Sequence, residues 1–198
     1  MMNKKGLELP INMIVLLIIS IIIFIGGIAL VWKMFGGAGE IQSGIDLQTK
    51  SQIEAMLRDS NEIVAIPINK KTADLGKDST FGLGIRNINT DERGFSVVIG
   101  FSGIYDRAGK QIDIGSKDYI ESKWLGSFKT QEQIYIKPKK YETIQLRVRA
   151  GTQVDDGVST PRGATAVFNV CVFDAQPSEC VLQAPVYDKI HQIMLEVR

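Results

Sequence analysis

Covalent or acid–base catalysis needs an imidazole, thiol or amine held beside a second reactive group, and this chain offers few candidates. Its single histidine, His191, lies in a C-terminal β-type segment, in phase with Ile193 and out of phase with Ile190. No second histidine or cysteine is near it in sequence, so a structural role is expected. The only thiols are Cys171 and Cys180, with eight residues between them. Strand alternation puts Cys171 on the face opposite Phe168, Val170 and Val172. The turn-forming run Asp174-Ala175-Gln176-Pro177-Ser178 then brings Cys180 back toward it. A disulfide needs Cα atoms about 5.5 Å apart, which a hairpin permits. Two free thiols or a weak metal site are the alternatives, and the disulfide is preferred, as a staple without a catalytic part. Asp106, Asp113 and Asp118, and separately Asp155-Asp156, lack the dense alternation of a calcium loop and read as solvated turns. Lys137-Pro138-Lys139-Lys140 reads as a soluble strand boundary. With no phosphate-cradling glycine loop and no histidine–carboxylate cluster, the expectation is a protein that is not an enzyme and has no cofactor and no metal.

The elements that carry these residues follow from the distribution of apolar side chains. Across 198 residues the chain is 44% hydrophobic and 23% charged, with a formal net charge of +1. That balance excludes a disordered chain and gives no electrostatic reason for a nucleic-acid partner. Residues 13–32 form twenty consecutive positions without a charge, apolar on every side. A helix of that length covers roughly 30 Å, the hydrocarbon thickness of a bilayer. A transmembrane helix is expected within a first unit, 1–35. Lys4 and Lys5 before the span, against Lys33 after it, place the N-terminus in the cytoplasm and the remainder outside.

Gly36-Gly37-Ala38-Gly39 breaks the helix, and Ile41, Ile45, Ile53, Met56 and Leu57 then recur at mostly helical spacing. This second unit, 36–61, is either a stalk helix that meets neighbouring copies or a helix whose stripe packs on the following domain. From 62 onward the period changes to two. Phe81, Leu83 and Ile85 alternate with small or polar residues, as do Phe95, Val97, Ile99 and Phe101, and Ile144, Leu146 and Val148 give the clearest half-buried strand. Seven or eight short strands without intervening helices, separated by turn signals such as Asp155-Asp156-Gly157, predict a mainly β domain over 62–198. The expected form is an antiparallel, immunoglobulin-like β-sandwich. If the strands around 83 and 98 pair, Gly82, Gly84, Ser96, Gly100 and Ser102 form a side-chain-poor outer patch where another chain approaches closely. Twist or bulges are the alternative reason for such glycines.

Lys4-Lys5-Gly6, followed directly by Leu7 and a long apolar helix, resembles the class III signal of archaeal type IV pilin-like proteins, a group that includes archaellins. The layout of helix followed by β-sandwich is also similar to that of single-pass archaellum accessory proteins. The resemblance implies an archaeal surface protein cut between Gly6 and Leu7 by a prepilin-type peptidase, with the apolar helix kept. Glu8 stands two residues after that cut, whereas bacterial-type pilins carry a glutamate at the position held here by Ile11. The resemblance further implies a membrane-held subunit or minor component of a pilus-like filament, whose partners are itself or other pilin-like subunits. The alternative is a single-pass, membrane-anchored binding module that holds another envelope protein or glycan.

Overall fold

The computed structural model describes residues 13, 15–24, 45–174, 176–181 and 183–198. It divides into two units, 1–44 and 45–198. In the first, residues 15–24 are helical, with exposed apolar side chains all round, Leu16, Ile22, Ile23 and Phe24 among them. Among the described residues no helix is long and apolar enough to cross a membrane. The rest of the expected span, 25–32, the cleavage site Gly6–Leu7 and the break at 36–39 lie outside the described residues.

The second unit is mainly β. It begins with helix α1, Leu47–Asp59, and continues through ten strands. These are β1 Val64–Ala65, β2 Lys70–Ala73, β3 Asp78–Arg86, β4 Arg93–Tyr105 and β5 Thr130–Ile136. After them come β6 Tyr141–Arg149, β7 Gln153–Asp155, β8 Val158–Ser159, β9 Thr165–Phe173 and β10 His191–Val197. Two sheets, ordered β1-β3-β6 and β2-β10-β9-β4-β5, turn their apolar faces toward one core, and β7-β8 form a separate small ribbon. All pairings are antiparallel except β2 with β10.

The period-two pattern explains the core. In β6, Leu146 and Val148 are fully buried while Arg147 and Arg149 face outward; in β9, Ala166, Phe168 and Val170 point in. Phe81 and Leu83 of the smaller sheet join Phe95, Ile99 and Phe168 of the larger one in a single cluster. Burying each such side chain contributes on the order of 1.5–3 kcal/mol. β3 and β4 follow one another in sequence but do not pair. β3 lies against β6 and β4 against β9, so the chain changes sheet at the turn around 87–92.

Three expectations are corrected. The strand expected over 63–68 is only Val64–Ala65, whereas Lys70–Ala73 forms an edge strand. Its Lys-Lys sequence shows no alternation of apolar residues, and parallel pairing with β10 holds it. Between β4 and β5 the chain is helical: α2 Lys117–Ile120, a π-helical turn Glu121–Leu125 and a 3₁₀ turn Gly126–Lys129. Ser116 caps this segment, and Ile120, Trp124 and Leu125 bury it in the core. Finally, α1 belongs with the β domain, so that unit starts at 45 rather than 62.

Candidate functional site

The glycines expected to open an outer patch are in different sheets and under different covers. Gly82 and Gly84 of β3 do face outward, but α1 lies on them. Asp46 caps α1 by accepting from the Thr49 N–H at 2.6 Å. One helix face then buries Thr49, Ile53 and Leu57, with Ala65 of β1 completing the cluster. A Cβ on Gly82 would stand 2.8 Å from Ile53 Cδ1, and one on Gly84 would overlap Ile53 Cγ2 and stand 2.7 Å from Leu57 Cδ1. The glycines let the helix approach. At its far end Arg86 donates from Nη1 to the Leu57 carbonyl at 2.7 Å and from Nη2 to Asn61 Oδ1 at 3.0 Å, a cation closing the helix C-terminus. The apolar stripe of α1, at Ile53 and Leu57, thus packs on its own domain.

Ser96, Gly100 and Ser102 of β4 belong to the larger sheet, whose outer face has a second cover. Val98, Cys171 and Phe173 project outward there and are buried against Cys180, Ala184, Val186 and Ile190 of the segment leading to β10. A disulfide joins Cys171 to Cys180 with Cα atoms 5.5 Å apart. Cys180 is not on a neighbouring strand as expected but in this covering segment, above Gly100, where a Cβ would meet the Cys180 carbonyl at 3.2 Å. Ser96 is buried and only Ser102 is exposed, so the five residues form no common patch. By loop-closure entropy a disulfide over so short a loop contributes about 2.5 kcal/mol. Cys171→Ser/Cys180→Ser is therefore expected to lower unfolding stability by about that much in urea, and an unchanged midpoint would contradict it.

Beside this cover sits a charged node that was not among the residues singled out in the sequence. Glu121, at the start of the π-helical turn, is buried and accepts the Phe101 N–H of β4 at 2.9 Å. Lys129 Nζ lies 2.6 Å and Lys117 Nζ 3.3 Å from its carboxylate. Burial pushes the Glu121 carboxyl up. The Lys129 and Phe101 hydrogen bonds and the two lysine charges outweigh that, and hold it below the ordinary glutamate value of 4.5. A carboxyl lowered in the folded state adds stability that is complete above 4.5 and is lost as pH falls through its lower folded value. The stability difference between the wild-type chain and Glu121→Gln is therefore expected to be present at pH 6 and to shrink toward pH 3. A difference constant over that range would rule the linkage out. One weak trace was in the sequence: Lys117 and Glu121 are spaced i,i+4.

Several of the remaining candidates make contacts that hold loops and turns. His191 Nε2 is 3.1 Å from Asp188 Oδ2. Asp106 accepts the Ala108 and Lys110 N–H groups, and Asp155 that of Gly115. Lys137-Pro138-Lys139-Lys140 forms the β5–β6 turn, with Lys139 in the left-handed region at φ 57°. Among the described residues no three histidine, cysteine or carboxylate side chains are grouped to hold a metal ion.

No family model matches the sequence, and no curated protein matches it. Among solved structures the chain is similar to part of Escherichia coli alpha-2-macroglobulin, at 17% identity and TM-score 0.38, over 69% of this chain and 7% of that one. The ASH/PapD-like domain of human CEP192 matches at 13% identity and TM-score 0.37, over 69% of this chain and 84% of that one. The class 5 fimbriae chaperone CfaA matches at 10% identity and TM-score 0.33, over 67% and 54%. At these scores the likenesses carry no functional argument.

Proposed function

We propose that the chain is a non-enzymatic surface protein, held in the membrane near its N-terminus, with an immunoglobulin-like β-sandwich outside the cytoplasm. It serves there as a pilin-like subunit or minor component of a type IV pilus-like filament. The observation that carries this reading is the helix over 15–24, whose apolar side chains are exposed on every side. Such a surface needs lipid or sister helices around it, and a filament core replaces the first with the second. The Cys171–Cys180 disulfide supports an oxidising, extracytoplasmic compartment for the sandwich. Lys4-Lys5-Gly6 ahead of Leu7 supports processing by a prepilin-type peptidase. The alternative is a single-pass, membrane-anchored binding module for another envelope protein or glycan; the glycine–serine face does not supply its surface, because α1 and the segment carrying Cys180 cover all of it but Ser102.

Replacing Ile18 or Ile22 by Asp places a carboxylate in the apolar helix, at a cost of about 2.5–3.5 kcal/mol for a charge at mid-membrane and more where helices pack without water. Such variants are expected to leave the sandwich folded and to yield no filaments on the cell surface. Normal filaments containing either variant would contradict the filament reading.

A further inference from the structure

The outer face of the smaller sheet is only half covered by α1. Beyond Gly82, β6 presents Arg147 and Arg149, two residues apart and therefore on one face. They are fixed there because the alternating residues Leu146 and Val148 are fully buried. The π-helical and 3₁₀ turns after α2 pass alongside and add Lys123 and Phe128, which closes a concavity of about 190 Å³. Its floor is rigid: Trp124 is buried and donates from Nε1 to the Gln153 carbonyl at 3.0 Å.

The charges of this concavity are unbalanced. Lys123, Arg147 and Arg149 line it against one carboxylate, Asp78, which stands opposite Arg149 in the β3–β6 register. Among the described residues none of the three cations has an ion-pair partner within 4.0 Å, whereas Lys70, Arg93, Lys117 and Lys129 each do. Arg147 is also pre-positioned. Its Cζ lies 4.9 Å from the centroid of the Phe128 ring, a cation–π contact that restrains the guanidinium while leaving its edge N–H fork to pair with oxygen. A restrained arginine, a second arginine on the same face and a lysine from a separate segment together make a receptor for a planar or tetrahedral oxyanion.

We propose that this concavity binds one oxyanionic group, a carboxylate or a phosphate ester, carried on a small molecule or at the end of a chain. The volume is below the roughly 300–1,000 Å³ of pockets for drug-sized ligands, so it accepts the charged group and little beyond. Arg147 supplies the bidentate contact, and Arg149 and Lys123 supply charge from two sides. The site does not depend on the filament reading, because it lies wholly within the β unit of one chain.

The test is calorimetric titration of the full chain, dispersed in detergent, with glucuronate, glucose 6-phosphate and glucose. Their shared sugar scaffold isolates the charged group. At least one of the two anions is expected to bind ten or more times more tightly than glucose, and to weaken as salt is raised. Preference for glucuronate identifies a carboxylate ligand, and preference for glucose 6-phosphate a phosphate ester. Arg147→Gln is expected to weaken that binding at least fivefold, and Lys123→Gln, on a different segment, to weaken it less. Anions that bind no better than glucose, or binding of equal strength in both variants and the wild type, would overturn the proposal. Because the chain is dispersed, this result and the filament result are read separately.

Discussion

Gly84→Phe is expected to lift helix α1 off its sheet. Gly84 sits beneath the two most buried side chains of the helix, Ile53 and Leu57, both with no exposed surface. Even a methyl group there would overlap Ile53 Cγ2. Ile53 is β-branched and stiff at χ1, so it cannot swing aside for a ring. Overpacking by a methyl costs typically 1–3 kcal/mol, and Gly84→Ala is expected to fall in that range. A phenyl ring exceeds what the contact tolerates. Undocking re-exposes Ile53 and Leu57, at about 1.5–3 kcal/mol each, and releases the Leu57 carbonyl from Arg86. The expected readout is loss of amide-exchange protection over 47–59 while the strands keep theirs. Ser102→Phe, at the exposed member of the five residues, is expected to stay within about 0.5 kcal/mol of wild type. Full protection of α1 in Gly84→Phe would show that the helix is not held by this contact.

Trp124→Ala is expected to cost about 3–5 kcal/mol in urea unfolding, the usual range for removing a buried tryptophan. The indole is 1% exposed, lies 6.3 Å from the Phe168 ring across the core, and ties the π-helical turn to β7 through Gln153. It also fills the space above Gly151, where a Cβ would overlap the indole. Truncation leaves a cavity and removes the hydrogen bond to the Gln153 carbonyl together. Trp124→Phe is expected to restore most of the packing without the hydrogen bond, and so to fall between the two. Equal stability of Trp124→Ala and the wild-type chain would mean that the helical insert contributes nothing to the core.

Much of the inner architecture was legible because burial on one face writes itself as alternation. Leu146 and Val148, Phe168 and Val170, and Ile193 and Leu195 all point inward as their spacing predicts. The two covers were not legible. Gly82 and Gly84 announce a close approach, but a glycine does not say who approaches, and the partner proved to be a stripe already visible at Ile53 and Leu57. Gly100 likewise lies under Cys180, from a segment without regular structure. Sheet assignment was not legible for the same reason: β3 and β4 are neighbours in sequence, and a turn that crosses between sheets reads like one that joins a hairpin. The Lys-Lys edge strand β2 and the buried Glu121 depend on long-range partners, Met194–Val197 for the first and Phe101 with Lys129 for the second. Local sequence carries no record of the first and, of the second, only the i,i+4 spacing of Lys117 and Glu121.

The most direct test of the proposed role is the N-terminus of the chain taken from its native membrane, determined by mass spectrometry. The filament account predicts a mature chain that begins at Leu7, with Gly6 and all before it removed and the apolar helix retained. A chain that begins at Met1 or Met2 would contradict it and leave a plain membrane anchor carrying the β-sandwich.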